Sequence, residues 1–192
     1  SHQHDTVRRV RQALSIPLTC GGGVRVSDDA GLLLEAGADK VSVNTAAVIK
    51  PRLIDDLARR YGSQCTVIAI DAVRHDDNGW EVLVQSGRER TGRDAIQWAK
   101  EVVQRGCGEI MLTSWDRDGT RSGYELDLLS AVSEAVTVPV IASGGAANPQ
   151  HLIDALKAGA SAVLAASIFH DGEYTVADLK TVLQDAGVEI RS

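Results

Sequence analysis

The sequence of 192 residues lacks the features by which several classes of protein are recognised. It has no stretch approaching the ~20 apolar residues that span a bilayer, and residues 1–5 show no signal-peptide pattern. It also has no block of lysine and arginine and no interleaving of basic and aromatic residues, and its net charge is −6. We therefore expect neither a membrane protein nor a nucleic-acid-binding protein.

Residue patterns for metal or cofactor binding are also missing. The three cysteines, Cys20, Cys65 and Cys107, are an odd number without metal-ligand spacing, and each lies in or beside an apolar stretch. The histidines lack such spacing too, and there is no nucleophile elbow, Walker loop or dinucleotide fingerprint. We predict a cytoplasmic protein in a reducing compartment, with no metal and no cofactor.

Six short apolar runs rich in β-branched residues predict strands of a parallel sheet that is buried on both faces. They are Pro17–Cys20, Lys40–Asn44, Cys65–Ile70, Glu109–Thr113, Val138–Ala142 and Ala162–Ala165. Helical patterns lie between them over Asp28–Ala36, with Ser27 as N-cap candidate, Pro51–Arg60, Asp94–Arg105 and Pro149–Ala158. Each helical pattern ends near a glycine, as helices commonly do. The alternation of strand and helix predicts the α/β class.

One connection departs from this alternation. Residues 72–92 contain Asp76-Asp77-Asn78-Gly79, followed by a strand-like run over residues 81–85. This pattern predicts a β-hairpin inserted after the third strand. An insertion at the carboxyl end of a barrel strand lies on the face that carries active sites.

Residues 4–46 align with residues 126–168 without a gap, and the Gly-Gly turns and the Gly-Ala pairs coincide. The same helix–strand–loop unit therefore occurs twice, as expected of a barrel built from two similar halves. The repeat predicts a (β/α)8 TIM barrel, of which this sequence has six strands where the closed fold has eight. We expect residues 1–192 to form a single incomplete barrel domain that lacks the first strand–helix unit and the second strand.

Two glycine turns are candidate phosphate sites. Residues 20–23 and 143–145 each follow a strand and precede a helix, so that backbone N–H groups can approach an anion closely. Each turn is followed one unit later by a strand that ends in small residues, Asn44-Thr45 in one copy and Ala166-Ser167 in the other. Tight strand-to-helix turns would explain either glycine turn alone. Two such turns at matching positions of the internal repeat predict a pair of phosphate sites for one long substrate.

Charged residues at strand ends supply the candidate chemistry. Asp71 ends the apolar run of residues 67–70, where a carboxylate can have its pKa tuned for proton transfer. Asp116 and Asp118 follow the next barrel strand, although Arg117 could neutralise them and any of these acids could simply cap a loop. Charged residues at the starts of strands are expected to form a stabilising ring at the bottom of the barrel, and two such residues are Lys40 and Glu109.

Several segments together identify a family. Residues 20–23, 38–47, 68–72, 108–120, 142–146 and 164–170 resemble the cyclase subunit of imidazole glycerol phosphate synthase, and the likeness extends over residues 5–191. The isomerase of the same pathway shares the two glycine turns, but it is less similar at residues 116–120 and at the hairpin.

The resemblance implies a reaction and a partner. Ammonia made by a glutaminase subunit would pass through the barrel to a phosphoribulosyl formimino-aminoimidazole carboxamide phosphoribonucleotide. Ring closure and cleavage would then give imidazole glycerol phosphate and an aminoimidazole carboxamide ribonucleotide. No cofactor is implied.

The same resemblance assigns roles to residues. Asp71 becomes one of two acid/base aspartates, and Lys40 and Glu109 become members of a charged gate, with Asp39 facing the glutaminase. One phosphate would be held by Gly23, Asn44 and Thr45. The other phosphate and the remainder of the substrate would be bound by Thr113, Asp118, Gly119, Ser143, Gly145, Ala166 and Ser167.

This sequence departs from the family at one point. The second catalytic aspartate of the family ends the first strand, which this sequence does not include, so we expect the polypeptide alone to be inactive. Two alternatives stay open at this point: the related sugar isomerase, and a catalytically inactive barrel fragment that serves as a folding or partner-binding unit.

Overall fold

A computed structural model describes residues 2–75 and 79–190. The helices in this part of the chain are α1 (His2–Ala13), α2 (Ser27–Glu35), α3 (Thr45–Ile49), α4 (Arg52–Tyr61), α5 (Ala95–Gln104), α6 (Leu126–Ala135), α7 (Pro149–Lys157), α8 (Ser167–His170) and α9 (Val176–Asp185), with a 3-10 turn at Ser63–Cys65. The strands are β1 (Thr19–Gly21), β2 (Lys40–Val43), β3 (Thr66–Arg74), β4 (Trp80–Val84), β5 (Glu89–Asp94), β6 (Glu109–Ser114), β7 (Val140–Ser143) and β8 (Ala162–Val163). None of the helices within these ranges has the length and apolar character that crossing a membrane requires.

Six of the strands form one parallel sheet in the order β1-β2-β3-β6-β7-β8. Helices alternate with these strands along the chain, which confirms the predicted α/β fold of the TIM-barrel type with six barrel strands. The carboxyl ends of parallel strands share one edge of the sheet. The loops that follow the strands therefore meet there.

The predicted hairpin is confirmed as well. β4 pairs antiparallel with the last four residues of β3, Asp71–Arg74, and also with β5. The predicted turn residues Asp76, Asp77 and Asn78 lie outside the described residues. His75 and Gly79, on either side of these residues, close the hairpin, because the His75 amide donates a 2.8 Å hydrogen bond to the carbonyl of Gly79.

The hairpin is fixed to the body of the protein through a buried carboxylate. Glu125 is only 8% exposed and pairs with the guanidinium of Arg74, while the Trp80 Nε1 group donates to the same carboxylate at 3.3 Å. The guanidinium also lies 5.0 Å from the centre of the Trp80 ring, within cation–π range. These contacts satisfy a carboxylate that would otherwise be costly to bury.

The apolar core lies between the sheet and its helices. In β3, Ile68 and Ile70 are fully buried in this core, whereas Ala69 and Asp71 line a cavity on the other side of the sheet. The largest side chains that share the core are Leu33, Ile54, Leu57, Trp98, Ile110, Leu128, Leu129 and Ile168. Each such apolar side chain contributes about 1.5–3 kcal/mol on burial.

The start of α2 differs from the prediction. Ser27 lies inside the first turn, and the helix is capped from within by Asp29, whose Oδ2 accepts from the amides of Arg25 (2.8 Å) and Val26 (3.1 Å). The Ser27 hydroxyl instead accepts a 2.6 Å hydrogen bond from Arg60 Nη1 of α4. The predicted role of Ser27 as N-cap is therefore wrong, because Ser27 is the first residue of the helix and Val26 occupies the N-cap position.

We predict that Ile68→Ala lowers the free energy of unfolding by about 2–5 kcal/mol, because it leaves a cavity at the centre of the sheet. The matched control is Ile16→Ala, since Ile16 is 58% exposed whereas Ile68 is fully buried. That control should change stability by less than about 0.5 kcal/mol. Urea denaturation followed by circular dichroism measures both. Equal effects of the two variants would contradict the placement of the core.

Candidate functional site

Asp71 lies where β3 changes its neighbour. β2 pairs with β3 only as far as Val43↔Ile68, and from Asp71 onward its place beside β3 is taken by β4. The chain leaves β2 through Asn44, whose Nδ2 group donates a 2.9 Å hydrogen bond to Asp71 Oδ2. Among the described residues, the Oδ1 atom of Asn44 is buried without a partner. The pair thus presents a carboxylate and an unsatisfied amide oxygen side by side.

The same level of the sheet carries two more polar groups. Asp71 is registered with Thr113 of β6, and Thr113 is registered with Ser143 of β7. These three residues, all predicted from the sequence, therefore form a row across three adjacent strands at their carboxyl ends.

The environment of Asp71 shifts its acidity. Burial raises the pKa of this carboxyl above the ordinary value of 3.8, the hydrogen bond from Asn44 opposes that rise, and the negative charge of Asp118 adds to it. A raised pKa brings a carboxyl closer to the range in which it can both give and take a proton. Burial and the charge of Asp118 thus favour the protonated form of Asp71 more than in a free aspartate.

The first glycine turn borders a cavity of about 910 Å³. Gly22 and Gly23 have φ values of 91° and 75°, and a Cβ at either position would meet no atom within 4 Å. Their backbones are thus exposed to the space that an anion would fill. Asp71, Asn44 and Thr45 line the same cavity.

The hairpin returns to this cavity and contributes residues that sequence reasoning missed. The amide of Gln85 donates a 3.0 Å hydrogen bond to the Thr45 hydroxyl, and Gln85 and Ser86 both line the cavity. Both residues have left-handed backbones, with φ of 53° and 58°. A Cβ at Gly87 would overlap the indole of Trp115, so this turn packs directly against the Trp115 ring. Left-handed residues are ordinary in the short turns of β-hairpins, and this turn joins the antiparallel strands β4 and β5.

The second glycine turn is more tightly enclosed. Gly144 and Gly145 are buried with φ of 93° and 94°, and a side chain at 145 would overlap the carbonyl of Gly123. The Gly123 amide donates a 2.8 Å hydrogen bond to the Gly145 carbonyl, which holds the loop after β6 against this turn. A cavity of about 50 Å³ lies beside it, bordered by Asp118, Gly119, Arg121, Ser143, Gly144, Gly145, Ala146, Leu164, Ala165, Ala166 and Ser167.

The two cavities have one lining residue in common. Leu164 lines both of them, and its carbonyl accepts a 2.8 Å hydrogen bond from the buried hydroxyl of Tyr124, another residue missed from the sequence. Burial raises the pKa of this tyrosine, so it stays protonated and donates. Asn44 and Ala166, which precede α3 and α8, have similar φ values of −121° and −123° but different ψ values of −98° and −59°.

The acids after β6 have different surroundings. Asp118 is exposed at the small cavity, whereas Asp116 accepts a 2.7 Å hydrogen bond from the Arg74 amide and so fixes the hairpin. Arg117 donates to the Ser122 hydroxyl at 3.0 Å, and within the described residues it forms no ion pair with Asp116 or Asp118. The suggested neutralisation of this cluster by Arg117 is therefore absent from the described part of the chain.

Three further predicted residues lie at the opposite end of the sheet. Lys40 of β2 and Glu109 of β6 form an ion pair that spans β3 at the amino ends of the strands. Asp39 accepts through its Oδ2 atom from Arg11 Nη1 at 2.9 Å and from the Leu18 amide at 2.7 Å. All three are thus separated from Asp71 by the length of the strands.

Fold and site together define an α/β protein of the TIM-barrel type that gathers an acid, an amide and two glycine turns at the carboxyl ends of its strands. That end carries the active site in enzymes of this fold. A family model described as "Histidine biosynthesis protein" matches residues 1–175. The chain belongs to this family.

Two curated relatives refine the comparison. The chain is 51% identical over 187 residues to the imidazole glycerol phosphate synthase subunit HisF of Gluconacetobacter diazotrophicus, covering 97% of this chain and 72% of that protein. It is 50% identical over 188 residues to the subunit of the same name from Streptococcus mutans, covering 97% of this chain and 75% of that protein. The resemblance predicted from the sequence is confirmed.

We predict opposite shifts of the Asp71 pKa in two variants. Asp118→Asn removes a repelling charge and should lower this pKa, whereas Asn44→Ala removes a hydrogen bond to the carboxylate and should raise it. Carbon-13 NMR titration of the Asp71 carboxyl measures both shifts. The carboxyl of Asp178, which Thr175 holds in the capping box of α9, serves as the internal reference and should not move. Shifts of the same sign in the two variants would contradict the described environment.

Proposed function

We propose that this chain belongs to an ammonia-dependent cyclase of histidine biosynthesis. Its substrate would be the phosphoribulosyl formimino-aminoimidazole carboxamide ribonucleotide with a phosphate at each end, and its products imidazole glycerol phosphate and the aminoimidazole carboxamide ribonucleotide. The observation that carries the proposal is the position of Asp71 at the carboxyl ends of the strands, between two glycine turns. The names of the HisF relatives support the same assignment.

Asp71 is assigned the proton transfers of the reaction. Its half-buried carboxyl lines the large cavity, and burial raises its pKa, so that the group can exchange a proton with a reacting nitrogen or oxygen. Asn44 orients the carboxyl through the 2.9 Å hydrogen bond.

The two ends of the substrate are assigned to the two turns. Gly23, Asn44 and Thr45 border the large cavity, and the open backbones at Gly22 and Gly23 support anion binding there. The second phosphate is assigned to the small cavity, which is bordered by Gly119, Gly145, Ala166 and Ser167. Thr113 and Ser143 continue the polar row from Asp71 toward that second cavity, and Asp118 borders it.

Ammonia is assigned to the opposite end of the sheet, where a glutaminase subunit would dock. The Lys40–Glu109 ion pair lies at the amino ends of the strands, on the interior side, where it can obstruct or admit a small molecule. Asp39 lies at the same end and is assigned to the partner interface. Its Oδ2 atom is engaged by Arg11 and Leu18, which leaves Oδ1 for a partner group. A cytoplasmic location is part of this proposal, and the three free cysteines support it.

The 192-residue chain by itself is expected to bind the bisphosphate without turning it over. The second acid that the resemblance implies stands on a strand that this sequence does not include. Incubation of the chain with the bisphosphate and an ammonium salt, followed by product analysis, tests this expectation. Cyclisation by the chain alone would refute the need for a second acid, and isomerisation of the substrate would favour the related sugar isomerase.

We predict that Asp71→Asn lowers kcat about 10²–10⁴-fold, the usual contribution of a general acid or base. The assay uses ammonium salts and a barrel completed by joining a family member's first two strands to this chain. The substrate Kd should change little, because the phosphate turns are untouched. Asp56→Asn, on the exposed face of α4, is the matched control and should keep full activity. Retained activity in Asp71→Asn would remove this carboxyl from the mechanism.

A further inference from the structure

The two cavities assigned to phosphates differ in the charges that surround them. The charged residues that line the large cavity are Arg25, Lys50 and Asp71. Those that line the small cavity are Asp118 and Arg121. A phosphate group carries close to two negative charges near neutral pH, so the two cavities cannot attract it equally.

The cationic groups of the large cavity have few competing partners. Arg25 follows the open glycine turn by two residues, and Lys50 follows α3, the helix that begins at Thr45. Both side chains are exposed, and neither forms an ion pair among the described residues. The neighbouring acid, Asp29, accepts hydrogen bonds from the amides of Arg25 and Val26 through its Oδ2 atom, and its charge interacts with the Arg25 guanidinium without forming an ion pair. The guanidinium and the ammonium groups are thus available to an anion in the cavity.

The cation of the small cavity is already neutralised. Arg121 Nη2 lies 2.6 Å and 2.8 Å from the two carboxylate oxygens of Glu173, and Nη1 pairs with Asp171. These contacts occupy the Nη2 donors and one Nη1 donor of the guanidinium, which are then not free for a phosphate. Asp118 adds a further negative charge at the same cavity. Anion binding there depends on the backbone amides and the Ser167 hydroxyl.

We propose that Arg25 and Lys50 make the large cavity the stronger of the two phosphate sites, and so determine which end of the bisphosphate is held tightly. This inference rests on the proposed function, which assigns a phosphate to each cavity. Two unpaired cations attract a dianion through both Coulomb forces and charge-assisted hydrogen bonds. The neutralised small cavity then serves to align the second end after the first is bound.

Titration with inorganic phosphate at an ionic strength of about 0.15 M, where the Debye length is about 8 Å, followed by ¹H–¹⁵N correlation spectra of the 192-residue chain, tests this inference. The amides of Gly22 and Gly23 should shift at lower phosphate concentrations than those of Gly144 and Gly145. Arg25→Ala should weaken binding at the first pair roughly tenfold, the lower range expected for one lost hydrogen bond to a charged group. Arg25→Lys should restore part of the loss, and Lys50→Ala should weaken the same site.

The matched control is Arg52→Ala, which removes an exposed positive charge two residues from Lys50 and outside the cavity lining. It should leave the phosphate affinity of the first site within twofold of the unaltered chain, a tolerance set by screening of exposed charges. Equal weakening by Arg25→Ala and Arg52→Ala would overturn the inference, as would earlier shifts at Gly144 and Gly145. Shifts at neither pair of glycines would overturn the proposed function as well.

Discussion

The hydrogen bond between Asn44 and Asp71 forms where β4 replaces β2 as the neighbour of β3. The rest of the candidate site is arranged around this hydrogen bond. β2 stops pairing with β3 at Val43, and β3 pairs with β4 from Asp71 onward. In the gap between them, the Asn44 side chain reaches the carboxyl and holds it at 2.9 Å. A continuous β2 would place backbone where that side chain lies. The inserted hairpin is therefore part of the site, because it covers the upper half of β3 while leaving room for the amide.

The hairpin also connects distant parts of the chain. It is anchored at one end by Glu125, which is buried under Arg74 and Trp80, and at its other end the Gln85 amide binds the Thr45 hydroxyl. The loop after β6 is tied to the second glycine turn by the Gly123–Gly145 hydrogen bond. Both loops are thus held in place by hydrogen bonds and an ion pair to other elements of the fold. Fixed loops of this kind reduce the entropy lost when a ligand binds.

Periodicity and glycine placement predicted the fold because these signals are local. The apolar runs gave six strands, and the glycines after α2, α5 and α7 have the positive φ values that end a helix. Features that depend on distant contacts were not predictable. The start of α2 is one example, since Ser27 lies inside the helix and its hydroxyl binds Arg60, 33 residues away in sequence.

The same limit applies to the candidate site. Its acids and glycines stand at strand ends, where sequence reasoning looks for them, and Asp71 lies in register with Thr113 as the parallel sheet requires. The left-handed turn at Gln85 and Ser86 and the Tyr124–Leu164 hydrogen bond carry no motif. Arg121 was missed because its ion pairs join residues about fifty positions apart. A sequence read in short windows contains no sign of such pairs.

The lengths of the strands have a consequence for the behaviour of the molecule in solution. β3, at the centre of the sheet, has nine residues, whereas β1 and β8, at its two ends, have three and two. A strand at the margin of a sheet can recruit a foreign strand in proportion to the number of free amide and carbonyl groups that it offers. Margins this short offer few of them. In the 192-residue chain taken alone, such short margins limit pairing with a foreign strand, and they are the places where further barrel strands would pair.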